Sequence, residues 1–143
     1  MTEYIARSVA DTERIGADIA DKLTLPSCIY LDGAMGAGKT TLCKAILAKL
    51  GYTGTVASPT YNLIQEYEIA QGVVQHMDLY RLQDPEELEF LAIEDLWTEN
   101  SLFLIEWPEK GEGALPAADF IISVHRMACE SGEKRKIVLT KVV

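Results

Sequence analysis

An α/β fold, in which helices flank a central mixed sheet widened by antiparallel strands, is predicted by three features of the chain. The first is Gly33-Ala34-Met35-Gly36-Ala37-Gly38-Lys39-Thr40, which fits G-x-x-x-x-G-K-[ST] and stands between an apolar run and a helical pattern. The second is the very apolar stretch Ser101 to Ile105, which ends in Glu106. The third is a pair of hairpin patterns, one within residues 62–79 and one within 120–142. A strand, a glycine loop and a helix in that order belong to a parallel layer, whereas hairpins add antiparallel strands. The sum is a three-layer fold of the P-loop NTPase type, in one domain over residues 1–143.

Each element has its own signal. Glu3 to Val9 alternates enough for an opening strand through Tyr4, Ile5 and Val9. Asp11-Thr12 has the chemistry of a helix N-cap, and Ile15, Ile19 and Leu23 then share one face up to Leu25-Pro26-Ser27. Cys28 to Leu31 is a buried strand. Leu42, Ile46, Leu47 and Leu50 give the helix after the glycine loop, which Gly51 to Gly54 close. Residues 62–67 and 73–79 form a hairpin around Ile69 to Gly72. Asp84-Pro85-Glu86-Glu87 starts a helix with Leu88, Leu91 and Leu96 on its apolar side, reaching Leu96-Trp97. After the strand to Glu106 and a loop at Gly111 to Gly113, Phe120 to His125 and Ile137 to Val142 pair around residues 130–133.

The glycine loop carries the sharpest chemistry. A polyanionic phosphate chain needs backbone N–H groups aimed inward, and three glycines let the backbone curl closely around it. The helix N-terminus adds unpaired donors and the positive end of a dipole. Lys39 is placed to reach the β- and γ-phosphates of a nucleoside triphosphate, and the Thr40 hydroxyl to ligate Mg²⁺.

Composition narrows the partners. The chain has 22 acidic against 13 basic residues, a net charge of −9, where a direct nucleic-acid binder needs a basic stripe. Only Lys134-Arg135-Lys136 resembles one, and it suits the solvated end of a hairpin. Exposed charges are screened beyond about 8 Å at physiological salt, so the acidity does not oppose a local phosphate site. Cys28, Cys43 and Cys129 are odd in number and widely spaced, as expected of reduced thiols in a cytoplasmic protein. No apolar run approaches the length of a membrane span.

Glu106, an acid at the end of a buried strand, has the pattern of a carboxylate that holds Mg²⁺ directly or through water. Asp78, in His76-Met77-Asp78-Leu79-Tyr80-Arg81, either supports the metal or water or is a strand-end acid paired with Arg81. His76, alternating with Asp78, fits a hydrogen-bonded structural histidine better than a base, and His125 has no motif around it. Ser58-Pro59-Thr60-Tyr61 suits a switch segment sensing the γ-phosphate, or a plain Ser-Pro turn. Trp107 is a lid or partner contact, or a packed strand-end aromatic.

Taken in order, G-A-M-G-A-G-K-T-T, S-P-T-Y, H-M-D-L-Y-R and L-I-E-W-P-E closely resemble the TsaE (YjeE) family over nearly the whole chain. The family's usual loop is G-D-L-G-A-G-K-T, so Ala34 and Met35 depart at two variable positions; Tyr61 replaces a common Phe. The resemblance implies a small P-loop ATPase required for threonylcarbamoylation of adenosine 37 in tRNAs reading codons that start with A. It implies action with the TsaB–TsaD heterodimer, contact with tRNA only through that complex, and no membrane. It places phosphates at Gly33 and at Gly36, Ala37, Gly38, Lys39, Thr40 and Thr41, and Mg²⁺ at Thr40 and Glu106. Asp78 and Glu106 become the catalytic carboxylates. Ser58, Thr60 and Tyr61 become a switch-like loop, Trp107 a functional aromatic near the site, and Thr12 with Arg135 the neighbourhood of the adenine. Arg81 is a candidate arginine finger.

Two other readings use the same loop. A small-molecule kinase would need an arginine-rich lid, and the five arginines are scattered at 7, 14, 81, 126 and 135. A GTP switch would need a guanine-reading N-K-x-D motif, and none is present.

Overall fold

The computed structural model describes residues 1–34, 36–56, 63–129 and 132–142. The opening strand β1 (Thr2–Ala6) leads into α1 (Val9–Asp21), and β2 (Ser27–Asp32) leads through the glycine loop into α2 (Lys39–Lys49). The hairpin of β3 (Ile64–Ile69) and β4 (Gly72–Asp78) comes next, then two short helices, α3 (Glu86–Phe90) and α4 (Ile93–Leu96). Strand β5 (Ser101–Glu106), a 3-10 turn (Pro108–Gly111), β6 (Phe120–Cys129) and β7 (Gly132–Lys141) complete the chain.

All seven strands form one sheet in the order β1-β7-β6-β2-β5-β4-β3. The central strands β6, β2, β5 and β4 are parallel to one another, while β3 on one side and β7 with β1 on the other are antiparallel additions. This is the mixed sheet that the sequence predicts. Helices α1 and α2 cover one face, where Ile19, Leu42, Ile46 and Leu47 pack on Ile29, Leu31, Leu102 and Leu104. Full burial of each such side chain contributes roughly 1.5–3 kcal/mol. Helices α3 and α4 cover the other face over Cys28, Met77, Phe103 and Ile105. The unbroken apolar run Leu102 to Ile105 of β5, a strand buried along its whole length, is what covering on both faces requires.

Three local expectations are corrected. Helix α1 begins earlier than Asp11-Thr12: Ser8 is the N-cap, its hydroxyl accepting from the Asp11 amide at 3.1 Å. The Asp11 carboxylate in turn accepts from the Arg7 amide at 2.8 Å, so Asp11 satisfies the amide just before the N-cap from inside the first turn. Val9, expected in the strand, is consequently a helical and exposed residue. The helix expected from Asp84 to Trp97 is broken at Ala92, whose left-handed backbone (φ 51°) separates α3 from α4. Finally, Lys134-Arg135-Lys136 lies within β7, and Lys136 pairs with Glu3 across the β1–β7 ladder at 3.3 Å.

Helix α2 ends as the glycine chemistry after it suggests. The Gly51 amide donates to Ala48 at 3.1 Å and the Tyr52 amide to Leu47 at 3.0 Å, with Gly51 left-handed (φ 104°). This is a Schellman closure.

Candidate functional site

Three acids finish three neighbouring parallel strands at the same edge. Asp32 ends β2, Glu106 ends β5 and Asp78 ends β4, with Leu31 opposite Glu106 and Glu106 opposite Asp78 in register. The carboxyl edge of a parallel sheet is where α/β proteins bind ligands, because the loops there are free to shape a crevice. Here the crevice is a cavity of about 330 Å³ lined by residues of the glycine loop and α2 with Asp78, Tyr80, Glu106, Trp107 and Arg135.

The loop's backbone is built for this. Gly36 and Gly38 have φ of 79° and 105°, in the left-handed region that side chains rarely adopt. At Gly38 space is also short, since a Cβ would come within 2.7 Å of the Arg135 Nε. Gly38→Ala is therefore expected to lower nucleotide affinity by roughly 5- to 150-fold, through strain of roughly 1–3 kcal/mol at a bent loop position. Calorimetric titration with ATP, alongside a melting curve, checks this.

Arg135 is on β7, far away in sequence, yet its Nε donates to the Ala37 carbonyl at 2.6 Å. By holding that carbonyl outward, it helps to fix the peptide that presents the Gly38 amide. Resemblance associates Arg135 with the neighbourhood of the adenine; the side chain lines the cavity and bonds the phosphate-loop backbone.

Lys39, the first residue of α2, is almost fully buried. Its ammonium lies 3.7 Å from Glu106 Oε1 and 4.5 Å from the centroid of the Trp107 ring, with no hydrogen-bond partner. A cation held against an aromatic face and one carboxylate oxygen, with its donors unused, is ready to meet an anion.

The second oxygen of Glu106 is occupied. His76, fully buried on β4, donates from Nε2 to Glu106 Oε2 at 2.7 Å, and Cys43 Sγ on α2 lies 3.8 Å from the same nitrogen. Burial, the largest influence on the ring, disfavours its charged form. The contacts with Cys43 and Glu106 together outweigh it and raise the His76 pKa above the ordinary histidine range. The sequence suggested His76 only as a structural, hydrogen-bonded residue; its partner is the site's central carboxylate. Alternation with Asp78 was the available signal, since residues 74, 76 and 78 point to the same face of β4.

Asp78 is half-buried, and its Oδ1 accepts from the Tyr80 amide at 3.1 Å. Burial raises its pKa and the nearby Glu106 carboxylate raises it further, against the lowering effects of the Tyr80 amide, Lys39 and His76. No ion pair joins Asp78 to Arg81 among the described residues; Arg81 is exposed on the turn after β4 and does not line the cavity.

Trp107 is held in an unusual way. It is left-handed (φ 56°) and precedes a proline, a combination its bulk and the Pro108 ring both disfavour. Its ring packs on Tyr80, with centroids 5.0 Å apart, and over Lys39. The indole thus lines the cavity wall at the strand end and also packs against the core layer of Cys28, Met77 and Phe103. Tyr80 is the aromatic that pattern reading missed.

Gly33 approaches the β6 backbone, where a Cβ would come within 2.7 Å of the Val124 carbonyl, and Ala37 is buried beneath the loop. Thr40 and Thr41 line the cavity. Thr12 is buried in the first turn of α1, its hydroxyl 3.4 Å from the Ser8 carbonyl, and is not among the lining residues. Ser58, Thr60 and Tyr61 lie outside the described residues. Among the oxygen-bearing side chains that line the cavity, Thr40, Asp78 and Glu106 form a set suited to a hard cation.

Comparison with known proteins shows the family of the chain. Residues 6–137 match the family model described as "Threonylcarbamoyl adenosine biosynthesis protein TsaE". A Haemophilus influenzae protein named tRNA threonylcarbamoyladenosine biosynthesis protein TsaE is 53% identical over 96 residues, which are 67% of this chain and 61% of that protein. The chain thus matches about three-fifths of the length of that relative. Proteins of the same name from Synechocystis and Aquifex aeolicus are each 36% identical over 112 residues, covering 76% and 77% of this chain and 71% and 79% of theirs. The crystal structure of the Bacillus protein YdiB superposes with a TM-score of 0.81 and 26% identity, over 99% of this chain and 86% of that one. With a family model spanning nearly its whole length, this chain belongs to the TsaE family.

Proposed function

We propose that the protein binds ATP with Mg²⁺ in the cavity between the glycine loop and Glu106 and hydrolyses it. This hydrolysis serves the threonylcarbamoylation of adenosine 37 in tRNAs that read codons starting with A. The biosynthetic setting rests on the names of the relatives. The observation that carries the ATPase reading is the buried, hydrogen-bond-free Lys39 ammonium between Glu106 and Trp107 at the start of α2. The family resemblance suggests TsaB and TsaD as partners, and the acidic composition suits docking to a less acidic protein while opposing a direct grip on tRNA. The buried free thiols of Cys28 and Cys43 fit a cytoplasmic protein.

The geometry supports the following roles. Backbone amides from Gly36 to Thr41 and the Lys39 ammonium bind the phosphates, Lys39 exchanging its contact with Glu106 for phosphate oxygens. Thr40 and Glu106 would hold Mg²⁺, which supplies charge neutralisation of the transferred phosphoryl group. His76 fixes one oxygen of Glu106 and leaves the other facing the cavity. Asp78, beside Glu106 in register, orients the attacking water. The water oxygen bonds to the γ-phosphorus as the bond to the bridging oxygen breaks, one water proton passing to an oxygen of the transferred phosphoryl group, giving ADP and phosphate. Trp107 and Tyr80 wall the site from solvent.

Phosphate release by the wild type and by Asp78→Asn tests this reading. Hydrolysis is expected to fall at least about tenfold in the variant, as for loss of a positioned general base or water-orienting group, with melting temperature and ATP affinity little changed. A variant that melts early but keeps its activity per folded molecule would make Asp78 a structural residue. A wild type that releases no phosphate above the uncatalysed rate, alone or with TsaB–TsaD, would overturn the ATPase reading.

A further inference from the structure

A second cavity, about 640 Å³, opens on the opposite face of the sheet, between α3, α4 and the segment after the 3-10 turn. Its apolar walls come from Leu88, Ile93, Trp97, Ala114 and Leu115, and its rim carries Glu89, Glu94 and Asp95. The break at Ala92 creates it. The chain turns there with φ of 51°; Leu88 and Ile93 on either side are buried, and Phe90 and Leu91 are left 89% and 43% exposed. In an unbroken helix Leu88, Leu91 and Leu96 would have shared the inward side.

A phenylalanine almost wholly in water beside an open apolar groove is a costly arrangement for an isolated surface, and one typical of contact sites. Its surroundings define what fits. Residues 82–100 include seven acids and no Lys, Arg or His, so the groove lies in a strongly negative field. That field repels anionic membranes and nucleic acids, and it selects a protein surface with basic residues around an apolar anchor.

We propose that this groove docks a partner protein through an apolar side chain ringed by Lys or Arg, with Phe90 and Leu91 packing on the partner and Glu89, Glu94 and Asp95 pairing with its bases. The surface is separate from the nucleotide cavity, so docking and ATP binding use different residues. The partner used to test it rests on the function proposed above.

The test titrates purified TsaB–TsaD onto wild-type protein, Phe90→Ser and Glu89→Lys/Glu94→Lys, with each variant's ATP affinity and oligomeric state measured alone. Phe90, Glu89 and Glu94 are exposed, so the substitutions leave the core intact. The expected result is at least a tenfold loss of TsaB–TsaD affinity in both variants, with ATP affinity unchanged and wild-type binding weakened by salt. Wild-type binding that both variants retain would overturn the groove as the docking site and leave the partnership standing. No binding by the wild type would overturn the partnership, and the docking proposal with it. Self-association abolished by Phe90→Ser would assign the face to a second copy and overturn the proposal in its present form.

Discussion

Lys39→Ala is expected to weaken ATP binding by about 10- to 100-fold, the loss of one charge-assisted contact worth roughly 1.5–3 kcal/mol. The magnitude follows from the state of the side chain before ligand arrives. Its ammonium is buried, makes no hydrogen bond, and has only Glu106 at 3.7 Å and the Trp107 ring for company. Phosphate oxygens therefore replace a loose ion pair, not a saturated hydration shell. Glu106 keeps its hydrogen bond to His76 in the variant, so the fold should survive. Isothermal calorimetry measures the change, and an unaltered affinity would contradict the assigned role of Lys39.

The second large effect belongs to Glu106→Gln. Hydrolysis should fall by roughly 10²–10³-fold, as for loss of one preorganised group acting on developing charge. Stability should fall as well, because one carboxylate serves two buried basic groups, Lys39 and His76. Removing one member of a buried charged set typically costs about 3–5 kcal/mol, since the charges left behind lose their partner. The two consequences are linked. ATP brings its own negative charge to Lys39, so saturating ATP should restore part of the lost stability in Glu106→Gln and less in Glu106→Gln/Lys39→Ala. Urea melts with and without ATP check this. Equal ligand stabilisation of the single and double variants would contradict the contact of Lys39 with phosphate.

Much of this site was legible in the sequence because the chemistry imposes residue types at short, fixed spacings. Gly36, Gly38, Lys39 and Thr40 lie within one loop and the first turn of one helix, and an apolar strand ending in Glu106 is a local pattern too. The sheet was legible for a related reason: β5 is apolar without a break from Leu102 to Ile105 because both of its faces are covered. What local spacing does not encode is contact across the sheet. The hydrogen bond from His76 to Glu106 joins residues 30 apart, and that from Arg135 to Ala37 joins residues 98 apart. Arg135 stood in a basic trio that pattern alone reads as solvated.

The misplaced helix boundaries have physical causes as well. Ser8 precedes a valine, Val9, whose β-branched side chain suggests continued strand, although Ser8 caps the helix and Val9 opens it. The break at Ala92 has no glycine or asparagine to announce it; burial of Leu88 and Ile93 on the same sheet face imposes the left-handed turn on an alanine. Trp107 is similar, a left-handed residue before proline with no local reason for that conformation. At both positions tertiary packing overrides local preference, and both border a cavity.

The measurement that tests the account most directly is steady-state phosphate release from ATP by the wild type and by Lys39→Ala, each with and without purified TsaB–TsaD. Release should be slow for the isolated wild type and strongly accelerated by the pair, since completion of a P-loop site by a partner can change rates by about 10³-fold or more. Lys39→Ala should remain slow throughout. A wild-type rate that is fast alone and indifferent to TsaB–TsaD, or one that Lys39→Ala reproduces, would contradict the claim that this cavity hydrolyses ATP in service of tRNA threonylcarbamoylation.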